Sequence, residues 1–231
     1  AGFSKISVRE KAATWLYADT VEIPYVENIV KRNMKVLCEP LGFSVTAQEL
    51  ENKRPFLYFE PAQDLPIVEG RKNVVFVLGA SRPTKIYPAE RFVELAQALG
   101  ERFDAHCILI WGNDSEHTSA QHIAAHAENA TISRKLSLND LKALLAQADL
   151  VIGGDTGPTH FAWGLNVPSI TIFGPTPAYR ITLPGKSSRV IESSSTVNPL
   201  RGGDPNDFSI REITADTIMQ QATELLSENA E

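Results

Sequence analysis

The sequence predicts an α/β fold built on a doubly wound parallel sheet, and three features predict it. Short apolar strands recur without polar alternation, a helically spaced run follows almost every one, and the turns between them are rich in Gly, Ser, Asn and Asp. Strands that are apolar on both sides belong to a sheet covered on both faces.

The first unit begins at residue 73. Residues 73–78 form a β-branched apolar run that ends in Gly79-Ala80-Ser81, which is a buried strand entering a loop. Residues 88–100 follow with Phe92, Leu95, Ala96 and Leu99 on one helical face, and Gly100 is the expected stop. The pattern repeats as strand 106–111, loop 112–114 and helix 116–127. A further helix spans 138–148, with Leu138, Leu141, Leu144 and Leu145 on one side, Ser137 as cap and Asp140 at the third position. Strand 149–152, helix 158–165, strand 169–173 and a fifth strand at 189–191 continue the series, and helix 215–226 behind Thr214 closes it. Right-handed crossovers then bring the loops at 79–87, 112–115, 153–158 and 174–180 to one carboxyl edge around one crevice.

The first 72 residues differ. Residues 26–41 read as a helix stopped at Gly42, whereas 52–72 are rich in Pro and charge and lack periodicity. The expected organisation is therefore the remnant of an earlier domain at 1–50, a linker at 51–72 and a complete domain at 73–231.

Composition narrows the function. The chain has 231 residues, and a formal net charge of −6 argues against a partner that is a nucleic acid. Two cysteines, Cys38 and Cys107, are too few for a disulfide framework or a zinc cluster, and Cys107 sits in an apolar run as a core residue. No stretch approaches the ~20 apolar residues of a membrane span, so no transmembrane segment is expected. The start at Ala1 is mixed and polar, unlike a secretory leader. The expected compartment is the cytoplasm.

Three stretches could carry chemistry. In Gly153-Gly154-Asp155-Thr156-Gly157-Pro158-Thr159-His160, two glycines allow tight turning before a helix start. Unpaired N–H groups and the positive end of the helix dipole suit a phosphate there, although the same octapeptide also suits an ordinary capped turn. Ser81-Arg82-Pro83-Thr84-Lys85-Ile86-Tyr87-Pro88 supplies two cations at the same edge. A Lys opposite a helix start could neutralise a departing pyrophosphate, or both cations could simply be solvated. In Trp111-Gly112-Asn113-Asp114-Ser115-Glu116, an acid just past a strand could accept from ribose hydroxyls, or serve only the helix dipole. No G-x-G-x-x-G or G-x-x-x-x-G-K-[ST] pattern occurs. His117, His122 and His126 are solvated rather than zinc ligands, because no acidic or Cys partner pattern accompanies them. Neither a metal nor a cofactor is expected.

Taken in order, Ser81-Arg82 with Lys85 and Tyr87-Pro88, Trp111-Gly112-Asn113, Asp155-Thr156-Gly157 with His160, and Phe173-Gly174-Pro175-Thr176 resemble the ADP-heptose:lipopolysaccharide heptosyltransferases (glycosyltransferase family 9). The Asp-Thr-Gly turn and the Ser-Arg-x-x-Lys loop look most like the type I branch. The leading portion, from Val8-Arg9-Glu10 through Val30-Lys31-Arg32-Asn33 to Leu41-Gly42, resembles the close of that family's first domain.

The resemblance implies a GT-B type fold, with the Rossmann-like C-terminal donor-binding domain complete and the N-terminal domain partial. It implies inverting transfer of L-glycero-D-manno-heptose from ADP-heptose to Kdo of the lipopolysaccharide inner core. The partners implied are the ADP-heptose donor and a Kdo-lipid A acceptor, at the inner face of the inner membrane of a Gram-negative envelope. By the same resemblance Lys85 is the catalytic cation facing the donor diphosphate, with Ser81 supporting it. Asp155, Thr156 and Gly157 hold diphosphate and heptose, and His160 lines the site. Asp114 stands where a ribose-binding Glu is usual; being shorter, it acts through water or leaves the role to Glu116. The family's general base is an early Asp of the first domain, which implies roughly 100 residues, one domain's share, ahead of Ala1.

Two other classes remain open: a GT-B enzyme using another nucleotide sugar such as UDP-GlcNAc, and a non-catalytic module that binds a phosphorylated ligand.

Overall fold

The computed structural model describes residues 1–8, 11–200 and 203–228, which fall into two units. Arg9 and Glu10, part of the family resemblance, lie outside the described residues. The smaller unit comprises Ala1–Lys53, Pro177–Leu183 and Val197–Gly202, and the larger one Arg54–Thr176, Pro184–Thr196 and Gly203–Glu231.

In the smaller unit, β1 (Gly2–Phe3) and β2 (Thr20–Val21) pair in parallel, and α1 (Ile29–Cys38) and α2 (Ala47–Glu51) follow. The helix expected at 26–41 is split, because Glu39–Leu41 tightens into a 3-10 turn before Gly42 turns left-handed at φ 71°. Few apolar side chains are buried here, and polar anchors hold the unit instead. The Asn28 side chain caps α1 by accepting from the N–H groups of Val30 and Lys31. Its amide donates to the carbonyls of Tyr179 and Thr182, each at 2.8 Å. The buried Arg32 guanidinium donates to the carbonyls of Ser7 and Pro24 at 2.7 and 2.5 Å and lies over the Phe3 ring.

The larger unit contains β3 (Asn73–Val77), α3 (Ala89–Phe103), β4 (His106–Ile110), α4 (Asp114–His126), β5 (Ala130–Ile132), α5 (Leu138–Leu145), β6 (Leu150–Gly154), α6 (Gly157–Leu165), β7 (Ser169–Phe173) and β8 (Ser188–Glu192). The closing helix is Ala215–Glu228. The six strands form one sheet in the order β5-β4-β3-β6-β7-β8, and every pair is parallel. Alternate strand residues enter opposite cores, as a period of two requires. Val74, Phe76, Cys107, Leu109 and Ile152 pack with α3, α4 and the closing helix. Val75, Val77, Ile108, Ile110 and Val151 pack with α5 and α6. Cys107 is fully buried, and burial pushes its thiol up to about 12.

Four expectations are corrected. Helix α3 runs through Gly100 to Phe103, and Asp104 ends it at φ 48°. Gly100 leaves room for a side chain rather than a stop: a Cβ there would lie 2.8 Å from the Asn129 amide nitrogen. That amide donates to the Ala96 and Ala105 carbonyls at 2.8 and 2.9 Å. Strand β5 was not anticipated, since three partly exposed edge residues give no apolar run. Leu138 is exposed, and only the later residues of α5 enter the core. Finally, the stretch from Arg54 to Lys72 is irregular in backbone yet belongs to the larger unit. Its Leu57, Phe59, Leu65 and Ile67 cover the second core.

Because the Asn129 amide joins α3 to the start of β4, Asn129→Ala should lower unfolding stability by about 1–3 kcal/mol, the cost of leaving buried carbonyls unpaired. Urea titration checks this, and a midpoint equal to wild type would contradict it.

Candidate functional site

The sheet order places the site. Strand β3 is central; the chain leaves it first toward β4 and β5, then returns to its other side for β6, β7 and β8. The loops that follow β3 and β6 therefore part at the carboxyl edge and open a crevice between them, the usual ligand position in such sheets. A cavity of about 600 Å³ lies there. Its lining includes Ser81 and Lys85 from the loop after β3, Glu116 from α4, and Asp155, Thr156, Gly157 and His160 from the turn into α6. All the expected site residues but one thus line one cavity.

The exception is Asp114. It is exposed at the first position of α4 and is not among the lining residues. Helix α4 begins two residues earlier than expected, with Asn113 as its cap, and of its two first-turn acids only Glu116 reaches the cavity. Glu116 is held there firmly. Its carboxylate accepts from the Gly112 N–H and the Asn113 amide, both at 2.6 Å. Asn113 reciprocates by accepting from the Glu116 N–H at 3.0 Å. A Cβ on Gly79 would lie 2.2 Å from the Glu116 carboxylate, so a glycine there is what admits this side chain.

At the centre is a charged cluster. The Lys85 ammonium meets one Asp155 oxygen at 2.5 Å, and the His160 ring nitrogen Nε2 meets the other at 3.0 Å. The Asp155 side chain is only 8% exposed. Burial works to raise its carboxyl, but the hydrogen bonds from His160 and Lys85 and the Lys85 charge more than offset this and hold it below the usual range. It stays a carboxylate.

Helix α6 starts beside this cluster. Thr156 is the N-cap residue, but its side chain makes no capping bond, and Pro158 occupies the first turn. The N–H groups of Gly157 and Thr159 have no intrahelical carbonyl to bond. Nothing lies within 4 Å of where a Gly157 Cβ would be, so the helix start is open. Unpaired donors, a positive helix end and an adjacent ammonium are features that suit an anion.

The apolar wall of the cavity escaped sequence reasoning. Ile110, Trp111, Leu136 and Leu141 give the cavity an apolar side. Leu136 follows β5, whose position was not foreseen, although Trp111 and Leu141 were visible as an aromatic and an apolar residue near loop ends. Trp111 is fixed by its indole N–H on the Ser133 carbonyl at 2.9 Å and by the His117 ring 4.3 Å away. The loop 174–180 does not line the cavity. Tyr87 is buried: its hydroxyl donates to the Ile213 carbonyl at 2.9 Å, and burial pushes its phenol well up, so it anchors the loop that carries Lys85. His122 and His126 stack on each other at 4.5 Å, and both are exposed. Among the described residues no group of three His, Cys, Asp or Glu side chains could hold a metal ion, and no helix is long and apolar enough to cross a membrane.

Comparison with known proteins gives a consistent result. Residues 1–202 match glycosyltransferase family 9 (heptosyltransferase). Lipopolysaccharide heptosyltransferase 1 of Campylobacter coli is 30% identical over 98% of this chain and 70% of its own length. Lipooligosaccharide heptosyltransferase 2 of Haemophilus ducreyi is 27% identical over 72% of this chain and 51% of its own. The solved structure of E. coli heptosyltransferase WaaC with ADP-2-deoxy-2-fluoro heptose superimposes with a TM-score of 0.69 at 25% identity, covering 99% of this chain and 64% of that one. The chain thus spans about half to 70% of the length of these proteins. The α/β, GT-B type expectation holds.

The charged cluster has a consequence for acid stability. A carboxyl held below its ordinary range favours the folded state at pH values above that range, about 4 for a free Asp, and the contribution is lost as pH falls through the folded value. Asp155→Asn should therefore flatten the decline in thermal midpoint on acidification below about pH 4 relative to wild type. Two parallel acid limbs would show that the cluster adds nothing.

Proposed function

This chain belongs to glycosyltransferase family 9, and from that premise we propose that it transfers L-glycero-D-manno-heptose from ADP-heptose to Kdo of the lipopolysaccharide inner core, with inversion at the anomeric carbon. The observation that carries the proposal is the convergence of the Lys85 ammonium and the open start of α6 on one cavity. That arrangement suits a diphosphate leaving group.

In this reading the diphosphate rests on the N–H groups of Gly157 and Thr159 and faces Lys85, with Ser81 at the loop start. Glu116 accepts from a ribose hydroxyl, and the base lies on the apolar side formed by Ile110, Trp111, Leu136 and Leu141. Asp155 and His160 face the heptose. As the bond from the anomeric carbon to the phosphate oxygen breaks, charge grows on that oxygen; Lys85 and the helix start stabilise it. The acceptor hydroxyl attacks from the opposite side and gives its proton to a base, which family resemblance assigns to an Asp of the acceptor-side domain. No step requires a metal.

In the same reading residues 1–50 are the end of the acceptor-side domain, and 73–231 form the donor-binding domain together with the irregular stretch from Arg54 that packs on its core. Type I specificity is favoured by the Asp155-Thr156-Gly157 turn and by the relative of that type. With a lipid acceptor, this reading has the reaction occur at a membrane surface, the inner face of the inner membrane in keeping with the family resemblance.

Calorimetry tests the donor assignment directly. ADP should bind more tightly than UDP, and Lys85→Ala should weaken ADP by about 10–100-fold, the worth of a hydrogen bond to a charged group. Adenosine, which lacks phosphate, should be unaffected by that substitution. Tighter binding of UDP, or ADP binding indifferent to Lys85→Ala, would defeat the assignment. Heptose transfer to a Kdo-terminated acceptor by the full-length enzyme then tests the acceptor.

A further inference from the structure

Lys85 cannot be placed by its own side chain, since a lysine stem has four rotatable bonds and its ammonium is a point charge. Its position depends on the backbone that carries it. That backbone is the 3-10 turn Pro83–Lys85, closed by the Lys85 N–H on the Arg82 carbonyl at 3.0 Å and the Ile86 N–H on the Pro83 carbonyl at 3.2 Å. Two of the turn's carbonyl oxygens press against glycines. The Lys85 oxygen lies 3.1 Å from where a Cβ on Gly154 would be. The Thr84 oxygen lies 2.9 Å from where a Cβ on Gly174 would be.

The two seats differ. Gly154 is the last residue of β6 and leads straight into Asp155, so its place near the site is expected. Gly174 follows β7 and does not line the cavity. It is buried between the Thr84 carbonyl and the Ile210 side chain, whose Cβ lies 3.0 Å from the same point. Ile210 is fully buried and belongs to the core. A methyl group at 174 therefore meets Ile210, which is locked in the core, and, closer still, the backbone of a short turn whose Thr84 is buried but whose Arg82 and Pro83 are exposed. The turn yields first, and with it Lys85.

We infer that Gly174 is a positioning residue for the phosphate-binding lysine: its missing side chain is the space in which the Lys85 turn sits, and this fixes the ammonium opposite Asp155 and the start of α6. The inference rests on the nucleotide-sugar reading for its functional meaning, and on the packing alone for its geometry.

The test is a double-mutant cycle on the protein as it stands. Gly174→Ala should weaken ADP binding by about tenfold in calorimetry, a difference of about 1.4 kcal/mol, while leaving adenosine binding unchanged. In the Lys85→Ala background the same substitution should have no further effect on ADP. A merely structural role would lower adenosine and ADP affinity together and would persist without Lys85, and either result overturns the inference. Gly154→Ala, with a milder clash at 3.1 Å, serves if Gly174→Ala fails to fold, and should show the same dependence on Lys85 with a smaller loss. A readout without ligand separates this proposal from the donor assignment. Acylation of the Lys85 amine, followed by mass spectrometry of its peptide, should be faster in Gly174→Ala than in wild type, because the ion pair with Asp155 is loosened. Should wild type bind no ADP, the donor assignment falls and the acylation ratio alone decides; equal ratios defeat the positioning role.

Discussion

A carboxylate that is almost wholly covered yet must stay charged governs this site. Asp155 is 8% exposed, and a buried charge without partners would neutralise or unfold its surroundings. Its partners come from different places: His160 lies one turn along α6, and Lys85 lies seventy positions earlier in the chain. Only a sheet in which β3 and β6 are neighbours brings that lysine within reach. The strand order, the glycines beneath the Lys85 turn and the tether at Tyr87 all serve the same closure.

Most of this was legible in the residues because a parallel sheet writes itself as uninterrupted apolar runs. The sequence locates β7 to the residue and β3, β4 and β6 within one or two positions, since each is buried along its whole length; the edge strand β8, Ser-Arg-Val-Ile-Glu, is located as closely from its Val-Ile pair alone. The unread parts share a physical cause: they are fixed by partners distant in sequence. Strand β5 exists because β4 offers an edge, and nothing in Ala130, Thr131 and Ile132 alone demands it. Gly100 looked like a stop but is a gap for Asn129. The choice between Asp114 and Glu116 turned on where α4 begins. The helix starts at Asp114, and the Asn113 cap together with the Asn113 amide holds Glu116, not Asp114, at the cavity.

The irregular stretch before β3 shows the same lesson from the other side. Proline and charge made it read as a connection without structure, yet its apolar residues cover the core beside α5 and α6. The Phe56 N–H donates to the Gly164 carbonyl at 3.1 Å, and Phe56 meets Trp163 edge-on at 5.8 Å. A Cβ on Gly164 would lie 2.8 Å from Leu57. The far end of α6 is therefore clamped. A helix that must present its N–H groups at fixed distances gains from such a clamp, because preorganised donors need not reorient when charge develops.

The charge balance of the cavity bears on how a diphosphate would be used. Among the lining residues, Lys85 is paired with Asp155 and Glu116 adds a second carboxyl side chain, so cationic and anionic side chains do not balance in favour of an anion. An incoming phosphate does not find a free ammonium; it must share one that a carboxylate already holds. The net gain on binding the ground state is then smaller than the contact alone would give, since one ion pair is weakened as another forms. When the bond to the sugar breaks, the phosphate oxygen acquires further charge and competes better with Asp155 for the same ammonium. The interaction strengthens along the reaction coordinate, and only interactions stronger in the transition state than in the ground state accelerate chemistry. A lysine held by an aspartate, in the proposed reading, therefore adds less to ground-state binding than an unpaired one while still gaining as charge develops on the departing diphosphate.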